Sequence, residues 1–135
     1  MILLDTCAVL WIVNGDAISA EAVAEVEALW ARGEVPFVSP ISAWEVGLLS
    51  ARGRISLTMP PERWWAAALS RSGFEIAPMP PETLIASSFL PGTPPNDPAD
   101  RIIAATAREG GMRLMTRDAR LLTYAAAGHV DAIGC

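Results

Sequence analysis

The sequence has 135 residues, a net charge of −5 and an apolar fraction of 52%, which suits one domain spanning residues 1–135 with a substantial core. No apolar run approaches the roughly 20 residues that a membrane helix needs, and the first residues lack the pattern of a signal peptide. We therefore expect a cytoplasmic protein with no membrane segment. The acidic balance argues against non-specific nucleic-acid binding, which requires cations that neutralise phosphates.

The basic residues, the cysteines and the histidine limit which kinds of binding site the chain can form. All ten basic residues are arginine, whose guanidinium favours bidentate contacts with phosphate or carboxylate. Cys7 and Cys135 lie far apart without metal-type spacing, so we predict two free thiols. His129 is the only histidine and follows the last predicted helix, so we expect no catalytic role for it.

Strands and helices alternate along the whole chain. Short apolar runs predict strands, and they cover residues 1–4, 35–38, 74–77, 113–116 and 130–133. Helical spacing of apolar residues, with capping residues and prolines at the starts, predicts the helices; they cover residues 6–13, 20–32, 40–51, 62–72, 82–88, 98–109 and 119–126. This alternation predicts an α/β fold with a mainly parallel sheet, and ligands of such sheets bind at the carboxyl ends of the strands.

Four carboxylates occupy positions from which they could meet at that edge. Asp5 and Asp118 follow strands, Asp100 lies in the first turn of a helix, and Glu45 lies on the core-facing side of another helix. Each also has a purely structural interpretation. Asp5 and Asp118 suit helix caps, Asp100 suits a capping box with Asp97, and Glu45 suits a pair with a buried arginine.

A pocket of four carboxylates repels itself unless a cation lies within it. Carboxylates and water are the ligands that Mg²⁺ and Mn²⁺ prefer, often with a substrate phosphate. A metal held in this way polarises a phosphodiester and lowers the pKa of an attacking water. Considered together, the four residues favour a Mg²⁺ site, with Mn²⁺ as a possible substitute.

Four segments, in order, carry a resemblance to a known family. They are Leu-Asp-Thr at residues 4–6, Ser-Ala-Trp-Glu at 42–45, Asp-Pro-Ala-Asp-Arg-Ile-Ile-Ala at 97–104 and Leu-Met-Thr-Arg-Asp at 114–118. This set resembles the PIN-domain ribonucleases, specifically the VapC-type toxins of bacterial toxin–antitoxin pairs. The resemblance implies a PIN-like α/β/α sandwich with a mainly parallel central sheet, and Mg²⁺-dependent endoribonuclease activity.

The resemblance also implies the role of each site residue. The catalytic and metal-binding quartet is Asp5, Glu45, Asp100 and Asp118. Four further residues support that quartet: Thr6 and Thr116 by hydrogen bonds, Asp97 as a helix cap, and Arg101 as a structural pair or a phosphate contact. The acidic charge of the chain departs from what is expected of an RNA-binding protein, and no basic patch is visible in the sequence.

The resemblance implies the partners as well. They are an RNA substrate, a cognate VapB-like antitoxin whose C-terminal segment blocks the site, and a second copy of the chain in a homodimer. Two apolar segments, Trp11–Val13 and Trp64–Trp65, suit a groove for an amphipathic helix of the partner. Trp44, Trp64 and Trp65 suit base stacking, although packing in the core or at an interface is the commoner use of such residues.

Two other classes of protein remain open from the sequence. One is a catalytically inactive PIN-like scaffold that only binds a partner, against which four intact carboxylates argue. The other is an aspartyl phosphotransferase of the haloacid-dehalogenase type, in which the first strand ends in a nucleophilic aspartate. That family places a second aspartate two residues further on, where this chain has Cys7.

Overall fold

The computed structural model describes residues 1–135 as one parallel sheet with helices on both faces. The strands are β1 (Ile2–Leu4), β2 (Phe37–Val38), β3 (Glu75–Ile76), β4 (Arg113–Thr116) and β5 (Ala132–Gly134). The helices are α1 (Thr6–Asn14), α2 (Ala20–Ala31), α3 (Pro40–Ala51), α4 (Pro61–Ser72), α5 (Pro81–Ala86), α6 (Pro98–Gly110) and α7 (Ala119–Ala126). Every predicted element is present, and the predicted parallel α/β fold is confirmed.

The strand order is β3-β2-β1-β4-β5, and all neighbouring pairs are parallel. The chain builds the sheet outwards from β1 to β3 and then crosses to the other side of β1 to add β4 and β5. The order therefore reverses between β1 and β4, the kind of position where open α/β sheets bind ligands. Asp5 follows β1 and Asp118 lies two residues beyond β4, so both border this crevice.

Two apolar layers cover the two faces of the sheet. Alternate residues of a strand point to opposite faces, so Ile2 and Leu4 pack in one layer while Leu3 packs in the other. The first layer includes buried residues of α1, α2, α3 and α4. The second includes buried residues of α6 and α7. This three-layer arrangement holds β1 rigidly in the centre and fixes the position of Asp5.

Side-chain caps define where the helices at the carboxyl edge begin. Asp5 accepts from Ala8 at the start of α1, Ser39 from Ile41 at α3, Asp97 from Asp100 at α6, and Asp118 from Arg120 and Leu121 at α7. An oxygen acceptor at this position satisfies a backbone N–H that the helix itself leaves free. Since these helices start beside the strand ends, the caps also bring the acidic residues to one edge.

The tryptophan predictions need correction. Trp64 is buried, at 5% exposure, in the first apolar layer, and the half-buried Trp11, Ile12, Val13 and Trp65 pack against the same layer. The partner groove predicted from these segments is therefore wrong for Trp64. Trp44 is 58% exposed, which excludes packing in the core of this chain and leaves an interface or base stacking. None of the helices is long and apolar enough to cross a membrane.

Candidate active site

Asp5 is the most buried of the four carboxylates, at 5% exposure. Its backbone N–H donates to the carbonyl of Met115 at 3.1 Å, which extends the pairing of β1 with β4. Its Oδ1 accepts from the N–H of Ala8 at 2.8 Å, and its Oδ2 accepts from the hydroxyl of Thr116. Asp5 thus caps α1 with one oxygen and is tied to β4 through the other.

Thr116 connects Asp5 to Asp118. Its hydroxyl donates to Asp5 and accepts from the backbone N–H of Asp118 at 3.0 Å. The side chain of Asp118 caps α7, because its Oδ1 accepts from the N–H groups of Arg120 at 2.8 Å and Leu121 at 3.1 Å. A fully buried hydroxyl therefore orients two carboxylate residues that belong to neighbouring strands.

Glu45 is held by a chain of hydroxyls rather than by an arginine. Thr6 Oγ1 donates to Glu45 Oε1 at 2.5 Å and lies 3.0 Å from the buried Ser42 Oγ. A hydroxyl has a single hydrogen and an ionised carboxylate only accepts. With the Thr6 hydrogen on Glu45, Ser42 donates to Thr6. The predicted arginine pair is therefore wrong, and the structure gives Glu45 a polar but uncharged partner.

Asp97 and Asp100 have different roles at the start of α6. Asp97 Oδ1 accepts from the N–H of Asp100 at 3.0 Å, which confirms Asp97 as a helix cap. The side chain of Asp100 is left free of this capping bond and half-buried. Arg101, next in the helix, donates its Nε–H to the carbonyl of Pro95 at 2.6 Å. Its role in the structure is therefore to hold the preceding loop.

The carboxylates affect one another's ionisation, which shows how closely they are grouped. Burial, followed by the negative charges of Asp97, Asp118, Glu45 and Asp5, raises the pKa of Asp100 to about 7. Burial also raises the pKa of Asp5 against the hydrogen bonds that it accepts, with Asp118 adding to the rise. The pKa of Glu45 is raised mainly by burial and then by Asp97 and Asp5, against its bond from Thr6. The site is therefore an uncompensated concentration of negative charge.

Cys7 and Ser42 also belong to this site, although neither was predicted to have a role in it. Lost hydration, with the charges of four carboxylates, raises the pKa of the Cys7 thiol to about 11. The thiol is thus protonated and unreactive at neutral pH. Ser42 supports Thr6 from a fully buried position. The one available signal for Ser42 was its location one helical turn before Glu45.

The donor set suits a hard divalent cation that keeps part of its water shell. No three or more Asp, Glu, His or Cys side chains are arranged to enclose an ion directly. Mg²⁺ is usually held by one or two carboxylates together with several waters and substrate oxygens, so a closed cage is not required. Burial, and after it the neighbouring carboxylates, raise the pKa of Asp100. The part of that rise due to repulsion indicates a fit to a cation, because a bound cation would relieve it.

A polar groove of about 430 Å³ lies beside the carboxylates. It runs between the loop before Asp97 and the first turns of α7, directly after Asp118; its lining residues are Thr93, Pro94, Pro95, Asn96, Ala119, Arg120 and Thr123. Another groove, of about 570 Å³, contains His129 and the residues that precede β4 and β5. That groove is at the opposite edge of the sheet, where His129 stacks on Tyr124 at 4.9 Å.

The family of the chain follows from comparison with known sequences. The family model of the PIN domain matches residues 2–127, and the chain therefore belongs to the PIN domain family. Ribonuclease VapC22 of Mycobacterium tuberculosis is 57% identical over 35 residues, which is 26% of this chain and 27% of that protein. The match thus spans about a quarter of the length of this curated relative.

Solved structures share the fold over nearly the whole chain. VapBC2 from Rickettsia felis, bound to a DNA fragment from its promoter, has a TM-score of 0.68 at 17% identity, covering 99% of this chain and 98% of the other. DNA-bound VapBC from Salmonella typhimurium has a TM-score of 0.67 at 18% identity, covering 98% and 96%. At these identities the likeness establishes the α/β/α fold alone, and it agrees with the predicted PIN-like sandwich.

Proposed function

We propose that this protein is a metal-dependent endoribonuclease, the toxin of a toxin–antitoxin pair, that cleaves RNA phosphodiester bonds. The observation that carries the proposal is the group of four mutually repelling carboxylates at the switch point of a PIN-domain sheet. A local resemblance to a ribonuclease VapC supports the choice of RNA. The substrate, the metal and the partners are all part of the proposal.

In this mechanism Asp5, Glu45, Asp100 and Asp118 hold Mg²⁺, or Mn²⁺ in its place. The bound ion supplies a Lewis acid that polarises the phosphodiester and lowers the pKa of water. The other groups fix the geometry: Thr116 orients Asp5, and Thr6 orients Glu45. With a pKa of about 7, Asp100 exchanges protons near neutral pH, as suits a group that binds metal by releasing its proton.

The polar groove beside the quartet is the proposed path of the RNA strand. It offers amide, hydroxyl and guanidinium groups from Asn96, Thr93, Thr123 and Arg120, which are the usual donors to phosphates and sugars. Arg120 is exposed, and the three ion pairs of the molecule involve other residues. Its charge is therefore available to a phosphate next to the carboxylates.

The proposed antitoxin is VapB-like, as the VapBC complexes with similar folds suggest. An apolar groove of about 180 Å³ between α1 and α2 suits an amphipathic helix of that partner; the apolar lining residues are Ile12, Ile18, Val23, Val26 and Trp30. A homodimer is proposed through the exposed apolar residues Leu84, Ile85 and Phe89, since such a patch usually marks an interface.

The direct test compares wild type with Asp5→Asn and Asp100→Asn. With Mg²⁺ and a structured RNA, wild type should cleave and both variants should lose at least about a hundredfold in rate, as expected when a metal ligand is removed. A matched control is Asp131→Asn, an exposed carboxylate at the opposite edge of the sheet. Cleavage by both site variants at the wild-type rate would exclude this mechanism.

The scaffold alternative makes a different prediction in the same experiment. A catalytically inactive PIN-like protein would bind a partner tightly, show no heat of Mg²⁺ or Mn²⁺ binding in calorimetry, and leave RNA intact. Metal binding together with Asp100-dependent cleavage would exclude the scaffold. Calorimetry on wild type and Asp100→Asn therefore separates the two functions before any substrate is identified.

A further inference from the structure

The arginines of this acidic chain are unevenly distributed. Four of the ten lie in the helical hairpin formed by α3, α4 and the connecting loop, residues 39–74, which contains two carboxylates, Glu45 and Glu62. The local balance is +2, whereas the remaining six arginines and thirteen carboxylates give the rest of the chain −7. The positive charge that the overall composition lacks is thus concentrated in one segment of the chain.

Three of these arginines flank the turn from α3 to α4. Arg52 and Arg54 follow α3, and Arg63 is in the first turn of α4; we call these three residues the basic tip. All three are exposed, and every ion pair of the molecule involves other arginines. Arg101, Arg108 and Arg117 donate to backbone carbonyls instead. The basic tip is therefore free to bind an anion.

The loop of the hairpin is held in a fixed conformation that presents donors on one side. At its start, Gly53 has a positive φ of 68° and the N–H of Arg54 donates to Leu49 at 2.9 Å, which closes α3. Along the rest of the loop, apolar and polar residues alternate. Its apolar residues Ile55, Leu57 and Met59 pack against the core, and its polar residues Arg54, Ser56 and Thr58 are exposed. The guanidinium of Arg54 and the hydroxyls of Ser56 and Thr58 thus form a row of exposed donors.

This row is connected to the carboxylate site by a rigid element. Glu45 and Arg52 are on the same helix or its cap, seven positions apart, so the helical rise places them about 10 Å apart along the axis. The exposed ring of Trp44 lies at the site end of that helix. A strand with its phosphodiester at the carboxylates could therefore reach the tip within a few nucleotides. Guanidinium and hydroxyl groups are the usual contacts of a phosphate backbone.

We propose that the basic tip binds the phosphate backbone of the RNA beside the cleavage site, and so compensates for the acidity of the protein. This inference rests on the proposed function, because it takes RNA as the ligand. The acidic remainder of the surface repels RNA, while the tip attracts it. The RNA strand therefore approaches the carboxylate site along the α3–α4 hairpin.

The test measures binding separately from cleavage. Asp100→Asn serves as the background, and its affinity for a labelled single-stranded RNA of roughly 16 nucleotides is measured by anisotropy over a range of salt concentrations. The variant Arg52→Gln/Arg54→Gln/Arg63→Gln should bind roughly tenfold more weakly or worse. Its slope of log K against log salt should fall by about 2, from about 0.7 for each lost phosphate contact.

The control is Arg32→Gln, which changes an exposed arginine that follows α2 and pairs with Glu34 at 3.5 Å. One such change should leave the affinity and the salt slope unaltered. Thermal unfolding and circular dichroism should be the same for all variants, because the apolar residues that anchor the loop are retained. Glu62→Gln, which removes the only other carboxylate of the hairpin, should strengthen binding.

The outcomes distinguish this inference from the proposed function. If wild type cleaves RNA and the triple variant binds it as tightly as Arg32→Gln does, the inference is overturned while the nuclease stands. The tip would then be free for an acidic protein partner. If wild type fails to cleave but RNA binding still depends on the tip, the nuclease is overturned and the RNA-binding surface stands.

Discussion

At the level of a single residue, the helix cap that Asp118 forms and the metal-binding role proposed for it demand different properties of its side chain. As the cap of α7 it needs an oxygen acceptor, which asparagine also provides. As a member of the quartet it needs a negative charge. Asp118→Asn should therefore leave the metal-free stability unchanged or raise it, because it removes repulsion, while Asp118→Ala should lose about 1 kcal/mol. Urea unfolding of both variants in chelator measures this difference.

The contrary result would also be informative. If Asp118→Asn lost several kcal/mol without metal, the charge itself would be stabilising the fold, and Asp118 would belong to an ion pair rather than to a repelling cluster. Thr116→Ser is a suitable control, since it retains the hydroxyl that Asp118 and Asp5 share.

The ionisation of Asp100 predicts how stability depends on pH. Its pKa is about 7 in the folded protein, against an ordinary value of 3.8. Between these values the folded state binds more protons than the unfolded state, so the free energy of unfolding falls as pH rises. This contribution to stability is complete below about pH 4 and is lost as the pH passes through about 7.

The predicted fall in stability with rising pH is tested by thermal unfolding of the metal-free protein from acidic to neutral pH at constant ionic strength. Asp100→Asn should flatten the dependence but not remove it, because the pKa values of Asp5 and Glu45 are raised in the same direction. Equal pH dependences for wild type and Asp100→Asn would show that Asp100 is less buried and less strongly repelled in solution.

The residues of the candidate site were chosen from the sequence, but their contacts could not be predicted from it. Each cap has a local signal, such as Asp97-Pro98 before α6, because the capping bond spans only a few residues. The partner of Glu45 had no local signal, since Thr6 is 39 residues away. The sequence indicates that a buried charge such as Glu45 needs a partner, but the packing of α1 against α3 decides which residue becomes that partner.

At the level of elements, α3 and α4 each begin with a proline and carry a tryptophan near their start, yet the two tryptophans have opposite environments. Trp64 is 5% exposed and Trp44 is 58% exposed. Trp64→Ala should therefore cost about 3–5 kcal/mol through a large cavity, whereas Trp44→Ala should cost less than about 1 kcal/mol, as is usual for exposed positions. Chemical denaturation of the two variants provides a matched comparison.

A large loss of stability in the Trp44→Ala variant, measured in dilute protein, would contradict the exposed position of Trp44. A loss that grows with protein concentration would instead indicate that the ring is covered in a homodimer, since oligomerisation stabilises the folded state by mass action. Sedimentation of the wild type at the same concentrations distinguishes these two results.

The elements themselves were well predicted by local pattern, with errors where the deciding contacts are distant. The helices α3 and α7 begin and end as predicted, since their caps are in the sequence. The strands β2 and β3 have two residues each, half the predicted length, because hydrogen bonding to neighbours sets their ends. Helical spacing favoured a core or interface position for Trp44, but the buried side of α3 follows Ser42 and Val46, about 200° away around the helix.

For the molecule as a whole, the concentration of negative charge predicts stabilisation by divalent cations. A ligand that binds only the folded state at ten times its Kd adds about 1.4 kcal/mol. Mg²⁺ should thus raise the Tm by a few degrees, beyond the effect of sodium chloride at equal ionic strength, which only screens charge. Asp100→Asn/Asp118→Asn should start from a higher metal-free Tm and show no further rise with Mg²⁺. A rise of equal size in that variant would place the cation elsewhere.

The hydrogen bond from Thr116 to Asp5 joins residues that are 111 positions apart. Contacts of such long separation form late, because closing a long loop reduces chain entropy before the contact can compensate. A growing polypeptide also carries Asp5 and Glu45 long before Asp100 and Asp118 have been added. The quartet is therefore incomplete during most of translation, and a nuclease of the proposed kind would acquire its activity only after β1 has paired with β4.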